Sequence, residues 1–221
     1  MTQNIKLKQQ YILRSIYKHK ILSVDQIQKL FCIKSRITVS KHIQRLKEKK
    51  QIKMLKTPIG YFYFLTTKGS KLLGLSRINE VKSIDKNHSD QEINLLKHLI
   101  HTNQIQKDDY QLFLDSYKTD RELKRIKFKE LGGIAYKLRW VDLVVNTTKG
   151  KIAFEVETTR KNKDRYPEII NKLDKQFKEF NWTEINWLVY KKDVNWFTNI
   201  IMSCKPQSTM NLMVIENLKG E

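Results

Sequence analysis

Three carboxylates stand close together in the stretch from residue 139 to residue 161, RWVDLVVNTTKGKIAFEVETTRK. They are Asp142, Glu155 and Glu157. All three fall within apolar runs, where an ionised carboxylate is costly unless it is paired. Carboxylate oxygens are the ligands that Mg²⁺ and Mn²⁺ prefer. Such an ion can activate a water and stabilise the charge that builds on a phosphodiester. The residue types therefore suggest metal-dependent phosphodiester chemistry.

The same carboxylates have a second interpretation, as members of ion pairs across neighbouring strands. Pairing of this kind would neutralise them and leave no metal site. The candidate cations in and around the two runs are Arg139, Lys151, Arg160 and Lys161. The residue types leave both interpretations open.

A β-hairpin is the element that would bring the carboxylates together. VDLVV and KIAFEVET are rich in β-branched residues, and TTKG between them is a turn signal. Because side chains alternate along a strand, Glu155 and Glu157 share a face, and Asp142 can lie across from them. We therefore predict Asp142 and Glu155 as ligands of Mg²⁺ or Mn²⁺, and all three carboxylates as catalytic.

The charge of the chain is unevenly distributed. Residues 1–86 hold 20 Lys or Arg against 4 Asp or Glu, whereas the rest of the chain holds 23 against 19. Neutralising phosphates with Lys or Arg releases counterions and adds affinity. The asymmetry therefore indicates a polyanionic partner for the first part, although a generally lysine-rich composition is the simpler alternative.

Composition also restricts the compartment. No window has the roughly 18 apolar residues that a membrane helix needs, and no secretory signal opens the chain. The two cysteines, Cys32 and Cys204, lack the spacing of a zinc site or a disulfide framework. We expect a cytoplasmic protein without membrane contact.

We predict an α/β (α+β) chain of two domains, at residues 1–75 and 89–221, joined by a polar linker at 76–88. In the first domain, SVDQ is a capping box that opens the second helix, with Ser23 as the N-cap and Gln26 three residues later. A third helix then starts near Ser35. A hairpin follows, formed by QIKML and YFYFL around a TPIG turn.

The third helix has two faces. Val39, Ile43 and Leu46 recur at core spacing, and the opposite face is basic. Arg, Lys and Gln can reach base edges or phosphates, and an exposed Ile can meet a thymine methyl. The predicted DNA contacts are Lys34, Ser35, Arg36, Ile37, Lys41, Gln44 and Arg45 in the helix region, and Lys53 and Lys56 in the hairpin.

This order of three helices and a hairpin resembles a winged helix-turn-helix domain, in which the hairpin meets the DNA backbone. The alternative is a solvated basic helix on a small helical domain that pairs with protein.

The second domain is predicted to follow the order α, β, β, β, α, β, α, β. Ser89 is expected to cap its first helix, and DYQLFLDSY to be extended. TDRELKRIKFKE is ambiguous between strand and helix. A later amphipathic helix over residues 164–180 carries Pro167 in its first turn.

With Asp142 opening one strand and Glu155 in the next, the second domain resembles the PD-(D/E)XK nuclease fold. Glu157 stands where that family places a lysine, so the resemblance implies either lost catalysis or a displaced ammonium. Lys161 is our candidate for that ammonium, with Lys172 also nearby. Glu92 is the candidate auxiliary acid on the preceding helix.

Most of the chain is similar to the replication-relaxation family of plasmid and mobile-element proteins. The similarity runs from QQYILRSIYKHKILSVDQIQKL through YFYFLTTKG to FEVETT and a helix containing NKL. TDREL resembles that family's acidic position, which makes Glu122 a second candidate auxiliary acid. The resemblance implies a DNA-binding role in plasmid replication, mobilisation or its control.

Three hypotheses for the function follow. The first is a double-stranded DNA-binding protein of a mobile element with a nuclease-like second domain, acting with other replication or mobilisation proteins. The second is a metal-dependent DNA endonuclease, which alone needs the carboxylates around a divalent ion. The third is a homodimeric transcriptional repressor that reads palindromic half-sites.

Overall fold

The computed structural model describes residues 8–75, 86–106, 109–133 and 139–219. The chain is a mixed α/β protein with one two-stranded and one five-stranded sheet in the described part. It divides into two compact units. The first unit comprises the residues up to His101 together with Gln106–Asp115, and the second comprises Thr102–Ile105 and the residues from Ser116 onward.

The first unit is mostly helical, with one antiparallel hairpin. Its core is formed by apolar side chains from the first three helices, the hairpin and the later helices. The elements are α1 (Gln9–His19), α2 (Val24–Leu30), α3 (Arg36–Glu48), β1 (Ile52–Thr57), β2 (Gly60–Leu65), α4 (Thr67–Lys71), α5 (Lys86–His101) and α6 (Tyr110–Asp115).

Local signals fix where α2 begins and ends. The predicted capping box is present, since the Ser23 hydroxyl accepts from the Gln26 N–H and the Gln26 side chain accepts from the Ser23 N–H. At the other end, Cys32 has a φ of 50° and the Ile33 N–H donates to the Gln28 carbonyl over 3.0 Å. This is the bonding pattern of a Schellman motif, with Cys32 where glycine is usual. The tight turn sets the start of α3.

The hairpin is held at both ends. At its tip, Gly60 has a φ of 127°, and the Thr57 hydroxyl donates to the Gly60 carbonyl over 2.9 Å. At its base, the Thr66 hydroxyl and N–H both donate to the carbonyl of Gln51 over 3.0 Å. The same hydroxyl accepts from the N–H of Gly69 in α4. Helix α4 therefore clamps the entry of β1.

This clamp requires glycine at position 69. A Cβ there would lie 2.1 Å from the Gln51 carbonyl oxygen, which is backbone and cannot rotate away. We expect Gly69→Ala to lower the free energy of unfolding by about 3 kcal/mol, the upper range for an overpacked site. Urea denaturation would measure the effect. Gly133→Ala is the control, because a Cβ at that position meets nothing within 4 Å; similar effects of both substitutions would contradict the clamp.

The structure corrects the expected start of the helix after the linker. Of the predicted linker, residues 76–85 lie outside the described part, and α5 already begins at Lys86. Ser89 is thus inside the helix and is not its cap. Moreover, α5 packs against α2 within the first unit, where the Gln26 amide donates to Asp90 over 2.9 Å. The division into units therefore differs from the boundary expected at residue 89.

The extended conformation expected for DYQLFLDSY is wrong for Tyr110–Asp115, which form α6. The reason is a local cap. One carboxylate oxygen of Asp109 accepts from the N–H groups of Gln111 and Leu112 over 2.6 and 3.2 Å. Phe113 is buried on the inner side of this short helix.

The second unit is a five-stranded sheet in the order β3-β4-β5-β6-β7. The strands β3, β4 and β5 are antiparallel neighbours, whereas β5, β6 and β7 are parallel and connected by helices. The elements are β3 (Tyr117–Thr119), α7 (Asp120–Leu131), β4 (Leu143–Thr147), β5 (Gly150–Val156), α8 (Tyr166–Glu179), β6 (Glu184–Val189), α9 (Val194–Cys204) and β7 (Met210–Val214). The ambiguous segment after residue 119 is thus a helix.

Helices α8 and α9 cover one face of this sheet. Their apolar side chains pack against residues of β4, β5 and β6 in a single cluster that includes Ala153, Tyr166 and Trp187. Because side chains alternate along β5, Glu155 and Glu157 follow Ala153 on this covered face. The predicted hairpin and helix pattern thus places two acidic side chains against an apolar layer.

Among the described residues, no helix has the length and apolar character needed to cross a bilayer.

Candidate functional site

Helix α3 presents the two faces expected from its sequence. Val39, Ile43 and Leu46 are fully buried. The side chains exposed on the rest of the helix are Arg36, Ile37, Thr38, Lys41, Gln44, Arg45 and, at its C-terminal end, Glu48, which accepts from the Gln44 amide over 3.1 Å. Ile37 is 68% exposed, so the core does not explain an isoleucine there. The helix thus offers solvent a basic face with one large aliphatic side chain.

Two of the predicted contacts lie just before α3. The Ser35 hydroxyl accepts from the Thr38 N–H at 3.4 Å and is the N-cap of the helix. Lys34 is exposed, and its carbonyl accepts from the Gln28 amide over 3.2 Å. Ser35 therefore has a structural role that is independent of any ligand.

Arg36 is held by an acidic residue of α2. Its Nε donates to Asp25 Oδ1 over 2.6 Å, with both side chains more than half exposed. The hydrogen bond and the negative charge of Asp25 raise the pKa of Arg36. An exposed ion pair adds little to stability. Its effect is to orient the guanidinium at the start of α3, and sequence reasoning missed this role of Asp25.

The hairpin projects from the first unit. All four side chains from Lys53 to Lys56 on β1 are exposed, although alternate residues of a strand point to opposite faces. Neither face of this part of β1 is therefore used by the core. Lys53 and Lys56, both predicted contacts, are among these exposed residues, and Met54 and Tyr61 are exposed beside them.

In the second unit, the predicted hairpin of β4 and β5 is confirmed, with Leu143 opposite Phe154. Asp142 immediately precedes β4, so the same register places it next to Glu155. Its Oδ2 accepts from the Val156 N–H over 2.8 Å. The structure thus brings Asp142 to the strand that carries the two glutamates.

Glu155 is 1% exposed, and its Oε1 contacts the guanidinium of Arg139. The backbone at Arg139 is fixed by the Gln176 amide of α8, which donates to its carbonyl over 2.7 Å. Among the described residues, Glu155 Oε2 and Trp187 Nε1 have no hydrogen-bond partner. Trp187 is the neighbour of Glu155 on β6. The carboxylate is therefore charge-paired but not saturated with hydrogen bonds.

Glu157 is 3% exposed, and both of its oxygens contact the ammonium of Lys161. The Lys161 N–H donates to the phenol oxygen of Tyr166 over 3.0 Å. Burial raises the pKa of Tyr166 to about 12. The charge of Glu157 and the hydrogen bond between Tyr166 and Glu157 also raise this pKa, whereas the hydrogen bond from the Lys161 N–H lowers it. Tyr166 thus lies beside Glu157 and Lys161 as a neutral phenol. The sequence analysis did not single it out.

We refer to Arg139, Asp142, Glu155, Glu157 and Lys161 as the carboxylate cluster. Its two buried glutamates each contact a cation of the chain. Within the described part of the chain, no group of three or more His, Cys, Asp or Glu side chains is arranged to hold a metal ion. As arranged, the donors do not fit a divalent ion, since Arg139 already contacts a Glu155 oxygen. The geometry favours the ion-pair interpretation.

The sequence of the chain matches one known protein family. A family model described as replication-relaxation matches residues 13–175. This chain belongs to the replication-relaxation family. The match extends from within α1 to within α8 and includes both α3 and the carboxylate cluster. No curated protein and no solved structure matches the chain significantly. Membership indicates a role in replication or mobilisation of plasmids or other mobile elements.

The two candidate auxiliary acids of this replication-relaxation protein have local structural contacts. Glu122 lies in the first turn of α7, where its carboxylate accepts from the Thr119 N–H at 3.3 Å. Glu92 lies on α5 in the first unit, with Oε2 2.8 Å from His19 Nδ1 and Oε1 3.3 Å from His88 Nε2. Burial acts to raise the pKa of Glu92, but the two histidines lower it to about 2.

Glu92 makes the stability of this protein sensitive to acid. Its folded pKa of about 2 lies below the ordinary value of 4.5, so its contribution is present above that value and is lost as pH falls towards 2. A shift of this size corresponds to about 3 kcal/mol. We expect Glu92→Gln to be less stable at neutral pH and to lose little further stability on acidification over this range. Denaturant unfolding at several pH values would measure both effects.

The control is Glu48→Gln, because Glu48 is exposed on α3 of the same unit. Its acid dependence should match that of the wild type. If Glu92→Gln shows the wild-type acid dependence as well, the assigned role of Glu92 is wrong.

Substitution of Tyr166 measures how much its phenol contributes to the stability of the region around Lys161. Tyr166→Phe removes the acceptor of the partly buried Lys161 N–H and the hydrogen bond of the phenol to Glu157. Unpaired buried polar groups cost about 1–3 kcal/mol. We expect a loss of unfolding free energy within this range by urea denaturation. Tyr61→Phe, at an exposed phenol, should leave stability nearly unchanged. Equal stability of the Tyr166→Phe variant and the wild type would show that these hydrogen bonds are unimportant.

Proposed function

We propose that this protein binds double-stranded DNA through a winged helix-turn-helix, in the replication or mobilisation of a plasmid or other mobile element. The supporting observation is the exposed basic face of α3, which the packing of the first unit does not use. In this proposal α2 and α3 are the helix-turn-helix, α3 is the recognition helix, and β1 with β2 is the wing.

The order of side chains along α3 suits a recognition helix in the major groove. Base contacts of such helices come mainly from their N-terminal residues. Here that end carries Arg36, whose fork can bind the O6 and N7 atoms of guanine, and Ile37, which can meet a thymine methyl. Further along, Gln44 is able to pair with adenine. Lys41 and Arg45 are suited to phosphates or guanine.

The wing adds contacts that carry no sequence information. Lys53 and Lys56 are exposed on a hairpin whose base is clamped by α4, so their positions are defined although neither packs against a core. Phosphate contacts of this kind fix the register of a protein on the duplex. Together with the positive charge of residues 1–86, they predict binding that salt weakens strongly.

For the second unit we infer a PD-(D/E)XK nuclease-like scaffold. Three observations support the inference. The strands β3, β4 and β5 are antiparallel neighbours, and a helix connects β5 to the parallel strand β6. Asp142, immediately before β4, lies next to Glu155 of β5. Glu157 departs from the nuclease pattern. An endonuclease would need Glu155 to exchange the Arg139 guanidinium for a metal ion, so we favour a DNA-binding function over a cutting one.

The test of the proposal is a double substitution on the recognition helix. Replacing Lys41 and Arg45 with Ala should lower the affinity for duplex DNA by about tenfold or more at physiological salt. The slope of log affinity against log salt concentration should become less steep, by the amount expected for about two lost phosphate contacts. Fluorescence anisotropy with duplexes from the DNA flanking the gene, titrated at several salt concentrations, gives both quantities.

The matched control replaces Lys68 and Lys71 with Ala. These two lysines are exposed in the same unit, on α4, and their loss removes the same net charge. If DNA were bound only by general electrostatic attraction to the positive charge of the protein, the two double variants would bind DNA equally weakly. That result, or wild-type affinity of the α3 variant, would refute the recognition helix.

A further inference from the structure

The carboxylate cluster contains its own positive charge. Arg139 contacts Glu155 and Lys161 contacts Glu157, and both glutamates are almost completely buried. We propose that these two cations replace a divalent metal ion, with Arg139 acting as the lock that keeps the ion away from Asp142 and Glu155. The second unit of the wild-type protein is then a nuclease-like centre that holds no catalytic metal.

Arg139 and a divalent ion would compete for the same oxygen of Glu155. A buried carboxylate requires a cation, and a guanidinium or a metal ion can satisfy this need. Arg139 lies three positions before Asp142 in the chain. Its guanidinium, which contacts Glu155, therefore has the high effective concentration of an intramolecular partner. An ion in solution has to displace it.

Lys161 is engaged in a similar way. Its ammonium contacts both oxygens of Glu157, four residues earlier in the chain. The ammonium that was predicted to assist a water is therefore used to neutralise the acidic residue at the unusual position. The pair leaves Glu155 and Asp142 as the two carboxylates that a metal could use if Arg139 were absent.

The ion pairs do not use all the hydrogen-bonding capacity of the buried groups in and beside the cluster. Glu155 Oε2 is buried and lacks a hydrogen-bond partner among the described residues, and so does Trp187 Nε1 beside it on β6. A fully satisfied structural ion pair would leave no such atoms. Without Arg139, a divalent ion could bind the Glu155 oxygen, and the indole N–H could donate to the oxygen of a water held by that ion. The cluster is thus a latent cation site.

The experiment compares Mn²⁺ binding by the full-length wild type, Arg139→Gln, and the double variant Arg139→Gln with Glu155→Gln. We expect Arg139→Gln to bind Mn²⁺ at least about tenfold more tightly than the wild type. The double variant should lose this gain. Electron paramagnetic resonance counts the free ion, and the melting temperature of Arg139→Gln should rise with Mn²⁺ while that of the wild type stays unchanged.

Arg165→Gln is the control for charge alone, because Arg165 is exposed in the same unit and lies outside the cluster. It should bind Mn²⁺ as the wild type does. If removal of Arg139 leaves a buried charge that prevents folding, addition of Mn²⁺ should restore the folded state. An unfolded Arg139→Gln variant that Mn²⁺ does not rescue would overturn the proposal.

Three other results would also overturn it. They are wild-type binding of Mn²⁺ that equals that of Arg139→Gln, a gain that survives the loss of Glu155, and Mg²⁺-dependent nicking of supercoiled plasmid by the wild type that Glu155→Gln abolishes. None of these results depends on α3, so the inference and the proposed DNA-binding function can fail separately.

Discussion

Buried carboxylates need partners, and in both units this requirement determines how the neighbouring elements are arranged. In the second unit, Glu155 lies under α8 and α9, where only a cation can make its ionised form acceptable, and Arg139 supplies that charge. In the first unit, Glu92 connects α5 to the end of α1 through His19. Glu155 thus holds the segment that leads into β4, and Glu92 holds a helix 73 residues earlier in the chain.

The distribution of the remaining charge follows from the same requirement. Cations that pair with buried acids cannot serve a ligand, whereas the lysines and arginines of α3 and the β1–β2 hairpin lie in solvent. Arg36 is also exposed on α3, but its guanidinium is oriented by an ion pair with Asp25. An ordered, exposed arginine beside an unusually exposed Ile37 costs the fold little and suits the reading of base edges. The exposed positive charge of α3 and the hairpin thus lies outside the core of the first unit.

Local features of the fold could be predicted from the sequence, and features that depend on distant contacts could not. The capping box at Ser23 and the turn at Gly60 involve residues within three positions of each other, so the pattern was sufficient. The start of α5 involves packing against α2, a contact between distant parts of the sequence. The helical state of α6 was missed for a different reason, since its cap by Asp109 is local and was overlooked. For the carboxylate cluster, the residues were identifiable, but whether they would contact a metal or Arg139 depends on the approach to β4, which no local pattern specifies.

Glu157 occupies the position where the nuclease pattern has a lysine, and this difference changes the charge of the cluster. In an E-x-K arrangement the lysine supplies a positive charge next to the first glutamate. Here that position adds a negative charge, and Lys161 returns the positive charge four residues later, where it contacts Glu157 itself. Arg139 compensates Glu155, and Asp142 accepts a backbone N–H from Val156. The sequence change at Glu157 is therefore matched by cations of the chain, since each of the two buried glutamates contacts one of them.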